Sequence, residues 1–231
     1  MEKLENFRHI LTRWESLSLG QGWKKQGLTS FAQQVFHLYS FRLAFNKNEC
    51  NQTFKSEGLP TTRPYMINNS KQATEDLFDK IEKVFGFPCV VKPNKGAGSK
   101  GITIAQTRKE IKEAVSLAFR QDQQVLVEPN ISDGVEVTCT IHDITLDELL
   151  EAFPVTEIKT KGDIFCSENC SKMEMITPVK SLNTEVTQQV VKVAKVAYRA
   201  LNLCGLATFD FIVKVSFYFV ERNLSFLKSP S

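Results

Sequence analysis

A chain of 231 residues, 42% hydrophobic and 24% charged, has the balance of a globular protein long enough for one large or two small domains. Its net charge of +3 is too small and too dispersed to argue for nucleic acid, and its longest strongly apolar run, residues 211–220, is broken by Lys214 and too short to span a bilayer. The start lacks the basic and apolar regions of a signal peptide, so the scattered cysteines, with no Cys-x-x-Cys, read as reduced thiols of a cytoplasmic protein and not as a zinc site.

Along the chain, the first forty residues carry one amphipathic pattern, Leu4, Phe7, Ile10 and Leu11, which predicts a helix, and little other periodicity. From Lys47 to Glu57 the spacing predicts a second helix, stopped by Gly58 to Pro60, and Thr62 to Met66 reads as a strand. Gln72 to Phe85 reads as a helix with Leu77, Phe78, Ile81, Val84 and Phe85 inward, closed by Gly86 and Pro88. Phe87 to Lys92 is a short apolar run rich in β-branched residues, a strand.

The stretch that follows, GAGSKG at 96–101, satisfies the letter of the dinucleotide pattern G-x-G-x-x-G. That pattern needs a helix directly after its glycines. Here Ile102 and Ile104 alternate with small or polar neighbours as on a half-buried strand, so the loop joins two strands. Nor is it a P-loop, because Ile102 stands where Lys and then Ser or Thr belong. A glycine hairpin bearing Lys92, Lys95 and Lys100 is suited to fold over a triphosphate with ammonium groups and backbone N–H. The plain alternative is an exposed turn with solvated lysines.

The next helix begins at a capping box, Thr107 to Glu110, with Ile111, Ala114, Val115, Ala118 and Phe119 at helical spacing. Strands are predicted over Gln124 to Glu128, Val135 to Ile141 and Phe153 to Ile158, then a loop from Gly162 toward Pro178. A helix over Thr184 to Leu203 precedes two last strands, Ala207 to Val213 and Ser216 to Asn223. On the last, Glu221 and Asn223 share one face, and Asp210 interrupts an aromatic run on its partner. Three hard oxygen donors converging there suit Mg²⁺ shared with phosphates better than zinc. The plain alternative gives each acid to the solvent side of an amphipathic strand. His37 and His142 read as structural, and Phe209, Phe211, Phe217 and Phe219 as core.

Taken together, AFNKN, GLPTTRPY, FPCVVKPNKGAGSKG, VLVEPNISDGVEVT, FPVTEIKTKGDIF, MITP, FDFIV and FVERN, in this order, resemble the ATP-grasp ligases, and within them the D-alanine:D-alanine ligases. The resemblance runs from about Leu43 to Asn223. It implies an α+β ATP-grasp fold in which two subdomains clamp ATP, with the family's N-terminal α/β domain largely missing. Residues 1–42 are then an unassigned remnant and residues 43–231 the ATP-grasp domain. That domain divides into a lead-in (43–86), a glycine-loop subdomain (87–141) and a truncated C-terminal metal-bearing subdomain (142–231).

The implied reaction phosphorylates one D-alanine carboxylate with ATP; a second D-alanine's amine then attacks the acyl phosphate, giving a dipeptide for peptidoglycan. Carried over by position, Lys47 and Lys92 meet ATP phosphates and Ser99 lies in the loop closing over them. Glu128 and Ile131 fall in the segment that binds adenine, and Glu136 holds the ribose. Asp210, Glu221 and Asn223 take Mg²⁺ (or Mn²⁺). No catalytic residue is assigned.

Departures gather on the amino-acid side. The family arginine two residues before the magnesium aspartate is Thr208, the serine before Ser99 is Gly98, and Cys170 stands where a phosphate-side lysine belongs. The segment between Glu128 and Glu136 is one residue longer than the family's, and no Pro-Gly-Met segment follows Asn223. The expectation is a ligase by descent with nucleotide and metal binding retained and turnover impaired. The alternatives are an ATP-grasp ligase for another carboxylate and amine, or a non-catalytic ATP-binding remnant. D-alanine is the expected small-molecule partner, with no nucleic acid and no membrane, and a homodimer is left open.

Overall fold

The computed structural model describes residues 7–12, 40, 42–96, 100–131, 134–143, 150–160, 173–203 and 205–214. Of the sequence expectations, those on Ser99, Gly98, Cys170, Glu221, Asn223, Phe217, Phe219 and His37 lie outside the described residues, as does the strand over Ser216 to Asn223. No described helix is long and apolar enough to cross a membrane.

Two antiparallel sheets, each with its own helices, organise the chain. In the smaller, β2 (Tyr65–Ile67), β5 (Val125–Pro129), β3 (Cys89–Pro93) and β4 (Thr103–Ala105) lie in the order β2-β5-β3-β4. Helices α2 (Glu75–Phe85) and α3 (Arg108–Ala118) cover one of its faces. Leu77, Phe78, Ile81, Ile111, Ala114, Val115 and Ala118 meet Ile67, Cys89, Val91, Val125 and Val127 there. α3 begins at the predicted capping box, while α2, expected from Gln72, begins at Glu75. Thr74 accepts from Leu77 N, and Thr107 accepts from Glu110 N while Glu110 reaches back to Gln106 N, so amides with no partner inside the helix are satisfied. On the outside Arg108 of α3 pairs with Glu75, Asp79 and Glu82 of α2.

Val84 is 60% exposed, against expectation. It lies at the margin of the arc set by Leu77, Phe78 and Ile81, in the last turn before Gly86. The capped helix starts at Glu75; residues 70–72 form a separate 3-10 turn.

The larger sheet runs β1-β10-β6-β8-β9, with β7 paired to β6. Its strands are β1 (Phe7–Thr12), β6 (Val135–Asp143), β7 (Leu150–Ala152), β8 (Thr156–Thr160), β9 (Met173–Ile176) and β10 (Leu206–Val213). One face packs against α4 (Thr184–Ala200) and α1 (Lys47–Ser56). Val137, Cys139 and Ile141 of β6 and Ala207, Phe209, Phe211 and Val213 of β10 share a core with Val190, Val193, Ala194, Ala197, Cys50 and Phe54. The core roles expected of Phe209 and Phe211 hold.

Three expectations are corrected here. Phe7 to Thr12 is a strand paired with β10 and not a helix. Met173–Ile176 is a strand paired with β8 and not part of a loop. The expected subdomain boundary at 141 also moves, since β6 belongs wholly to the larger sheet and β2 to the smaller, so the chain changes sheets between Pro129 and Val135.

That crossing needs a glycine. A Cβ on Gly134 would lie 2.4 Å from Ile212 Cγ2 and 3.1 Å from Val213 O, so the strands could not keep their approach. Urea unfolding of Gly134→Ala is expected to show a loss of about 1–3 kcal/mol, the usual range for overpacking; an unchanged midpoint would contradict the packing described.

Candidate functional site

Side chains alternate along a strand, so the faces turned away from the helices carry the remaining residues of each sheet. On the smaller sheet, Cys89 and Val91 enter the core, leaving Val90 and Lys92 on the other face, with Leu126 and Glu128 beside them on β5. Lys92 Nζ donates to Glu128 Oε2 at 2.7 Å, and both side chains are buried, 8% and 5% exposed. Register places Lys92 opposite Leu126 and Val90 opposite Glu128, so the ion pair is the diagonal one that long side chains reach. Sequence reasoning gave these two residues to different parts of the ligand; the fold makes them partners. A charge pair this dry is held by mutual neutralisation, and neither member can be removed cheaply.

The turn after β3 is as predicted. β3 and β4 pair antiparallel, Cys89 opposite Ala105 and Val91 opposite Thr103, so the glycine loop joins two strands and no helix follows it. Gly101 closes the turn at φ 74°, and a Cβ there would meet Gln121 Cγ at 2.9 Å and Pro93 Cγ at 3.0 Å.

Lys47, the first residue of α1, reaches into the start of this hairpin. Its Nζ donates to the carbonyls of Gly96 (3.0 Å), Pro93 (3.1 Å) and, more weakly, Asn94 (3.5 Å). Burial first, and the neighbouring Lys92 ammonium second, lower its pKa to about 8. The unfolded value is near 10.5, so the protonated lysine weighs against the fold in full below about pH 8, and that penalty is relieved as pH rises toward 10.5. The first amides of α1 are already engaged, with Lys47 N and Asn48 N bonded to Asn94 and Glu49 N to Asn46. Any anion here would therefore meet lysine side chains and not an open helix end.

On the larger sheet the face opposite the helices carries Glu136, Thr138 and Thr140 of β6, with Thr208, Asp210 and Ile212 of β10 directly across from them. Asp210 is buried, and Glu136 is half-buried on the same face. Thr208 Oγ1 and Thr140 Oγ1 lie 2.9 Å apart and share a hydrogen bond. Thr138, directly opposite Asp210, has a buried hydroxyl with no hydrogen-bond partner. A hidden polar atom of this kind is costly unless a water or ligand meets it.

A carboxylate and an unmet hydroxyl side by side suit a hard cation and its oxygen shell. Among the described residues no cluster of three or more His, Cys, Asp or Glu could hold a metal alone; the other two expected ligands, Glu221 and Asn223, lie outside them. Ile131 is half-buried just past β5, next to Asn130, whose backbone N–H extends the ladder to Pro88 O. His142 is half-buried on the larger sheet's polar face.

Sequence reasoning missed Asn94 and Thr138. Asn94 is 1% exposed with every polar atom engaged. The signal for it was there, an asparagine directly after Lys92 and Pro93 at the end of an apolar strand, where a turn polar residue bonds backbone. The buried thiols of Cys89 and Cys139 are pushed up by burial to about 11 and about 12, which makes them poor nucleophiles.

Residues 53–225 match the family model described as the D-ala D-ala ligase C-terminus. Among curated proteins, the D-alanine–D-alanine ligase of Flavobacterium johnsoniae is 31% identical over 189 residues, covering 80% of this chain and 56% of that protein. The one from Christiangramia forsetii is 32% identical over 200 residues, covering 85% and 59%. The chain thus spans little more than half the length of these relatives. Among solved structures, the D-alanine–D-alanine ligase from Bacillus anthracis complexed with ATP aligns at TM-score 0.59 and 26% identity, over 77% of this chain and 53% of that one. The VanG D-Ala:D-Ser ligase from Enterococcus faecalis aligns at TM-score 0.64 and 23% identity, over 76% and 52%, a likeness of fold. With three-quarters of the chain inside the family model and about three-quarters of it aligned with solved members, this chain belongs to the D-alanine–D-alanine ligase family and has its ATP-grasp fold.

Proposed function

We propose that the chain binds Mg-ATP between the polar faces of its two sheets, and that it is a ligase by descent which joins two D-alanines with impaired turnover. The observation that carries the nucleotide half is the cationic end of the β3–β4 hairpin: Lys92 buried on one side, and Lys47 drawn in from α1 on the other. In this reading the two ammonium groups hold phosphate oxygens, and Ser99 and the hairpin close over them. Glu128 and Ile131 border the adenine, and Glu136 takes the ribose hydroxyls. Asp210, Glu221 and Asn223 would hold Mg²⁺ (or Mn²⁺), which when bound offsets phosphate charge that lysines alone leave in place.

The chemistry asked of the protein is then positional. One D-alanine carboxylate must lie in line with the terminal phosphate, and the second amine must reach the acyl phosphate with water excluded. The weak element is Thr208. It stands where the family resemblance expects an arginine, and its hydroxyl is engaged with Thr140. A neutral hydroxyl does not match a guanidinium at an oxyanion, and loss of one such donor typically costs on the order of a hundredfold to a thousandfold in rate. An ADP-release assay with D-alanine tests this. The expectation is nucleotide binding with turnover far below an ordinary ligase; brisk D-alanine-dependent turnover would show that Thr208 is no handicap. A homodimer stays open as a partner, and light scattering decides it.

Lys47 supplies a further expected result. Phosphate favours the ammonium form, so Mg-ATP binding raises the pKa of Lys47 from about 8 and takes up a proton when measured above that pH. Titration calorimetry at pH 8.5 in two buffers of different ionisation enthalpy should detect the uptake, and Lys47→Met should abolish it. Equal heats in both buffers for the unmutated chain would remove Lys47 from the phosphate site.

A further inference from the structure

The first amides of a helix have no partner inside it and must find one elsewhere. In α1 the partner for two of them comes from the other sheet. Lys47 N donates to Asn94 O at 3.0 Å, and Asn48 N donates to Asn94 Oδ1 at 2.9 Å. Asn94 is in turn fixed to β5's lead-in: its N–H donates to Gln124 O at 2.9 Å and its Nδ2 to Gln124 Oε1 at 2.9 Å. Gln124 Nε2 then donates to Asn68 Oδ1 at 3.1 Å, just past β2. The body of α1, meanwhile, belongs to the larger sheet, where Cys50 and Phe54 are 2% and 1% exposed in its core. Asn94 therefore joins an element seated on one sheet to three strand ends of the other. It also lies two residues from Lys92, and its carbonyl is one of the acceptors around Lys47 Nζ.

From this geometry we infer that Asn94 is a positioning residue for polyphosphate: by capping α1 from across the sheet boundary it holds the Lys47 ammonium at a fixed place beside Lys92. The inference rests on the nucleotide reading above and assigns Asn94 no contact with ligand. If Asn94 acts through Lys47, the two must be coupled, whereas a residue that merely supports the fold weakens binding by the same factor whether or not Lys47 is present.

The test is a double-mutant cycle on Mg-ATP affinity, by titration calorimetry on the full chain. Asn94→Ala is expected to weaken binding about tenfold when Lys47 is present and less than about twofold in a Lys47→Met background. Equal factors in the two backgrounds, or no effect in either, would overturn the inference and leave the nucleotide site standing. No Mg-ATP binding by the unmutated chain would instead remove both. Should Asn94→Ala fail to fold, Gln124→Met removes the acceptor that fixes the Asn94 side chain, together with the Gln124 bond to Asn68, and leaves Asn94 itself in place. It should weaken binding about threefold, again only when Lys47 is present; equal loss in both backgrounds would again overturn the inference.

Discussion

Lys92→Ala is expected to lower the unfolding free energy by about 3–5 kcal/mol, the range for removing one member of a buried ion pair. The partner left behind, Glu128, has a side chain 5% exposed, and its Oε2 bonds to Lys92 Nζ at 2.7 Å. With the ammonium gone, that carboxylate is neither solvated nor paired. Replacing both residues with apolar ones of similar size, Lys92→Met with Glu128→Leu, should recover most of the loss, because the desolvation of two charges is then never incurred. Urea denaturation measures both, and a Lys92→Ala midpoint equal to that of the unmutated chain would show that the pair is not buried as described. The double variant also separates stability from function: on the proposed reading it folds and does not bind Mg-ATP.

The second large effect is expected at Asp210. Asp210→Asn keeps shape and most hydrogen bonding but removes the charge that would face a divalent ion. Outer partners of a metal ligand are worth roughly 10–100-fold in affinity, so a direct carboxylate ligand should be worth about a hundredfold or more. Mg-ATP affinity should fall by that factor, while the much weaker binding of ATP in EDTA stays unchanged. Equal affinities for Mg-ATP in Asp210→Asn and the unmutated chain would take the metal away from this face. Thr138, with its unmet hydroxyl directly across from Asp210, is the neighbour through which the same ion's water shell would touch the sheet.

Local patterns made much of this legible in the sequence. Ile102 and Ile104 alternating after GAGSKG were enough to reject a dinucleotide turn, and the β3–β4 hairpin follows that reading. Thr107 with Glu110 marked the start of α3, and Phe209 and Phe211 marked the core face of β10. What escaped depends on partners far along the chain. Leu4, Phe7, Ile10 and Leu11 have helical spacing, yet residues 7–12 pair with β10 some two hundred residues later, and a strand edge in need of a neighbour leaves no mark on the segment that supplies it. Met173–Ile176 is only four residues long, and pairing with β8 defines it more than any pattern of its own.

The site divides in the same way. Lys47, Lys92, Glu128, Glu136 and Asp210 were picked out as individual chemistries; Lys92, Glu128, Glu136 and Asp210 lie on strands, on the sheet faces turned from the helices, and Lys47 reaches the hairpin from the start of α1. That Lys92 and Glu128 neutralise each other, and that Asn94 partners the first two amides of α1, follows from strand register and burial, which no window of sequence contains.

The most direct test is a crystal structure of the chain with a non-hydrolysable Mg-ATP analogue. The account predicts the phosphates between Lys47 and Lys92 on the hairpin side and Asp210 on the larger sheet, with the metal on the Asp210 carboxylate. A nucleotide bound on another surface, or Lys92 and Asp210 turned toward separate faces of the molecule, would contradict it.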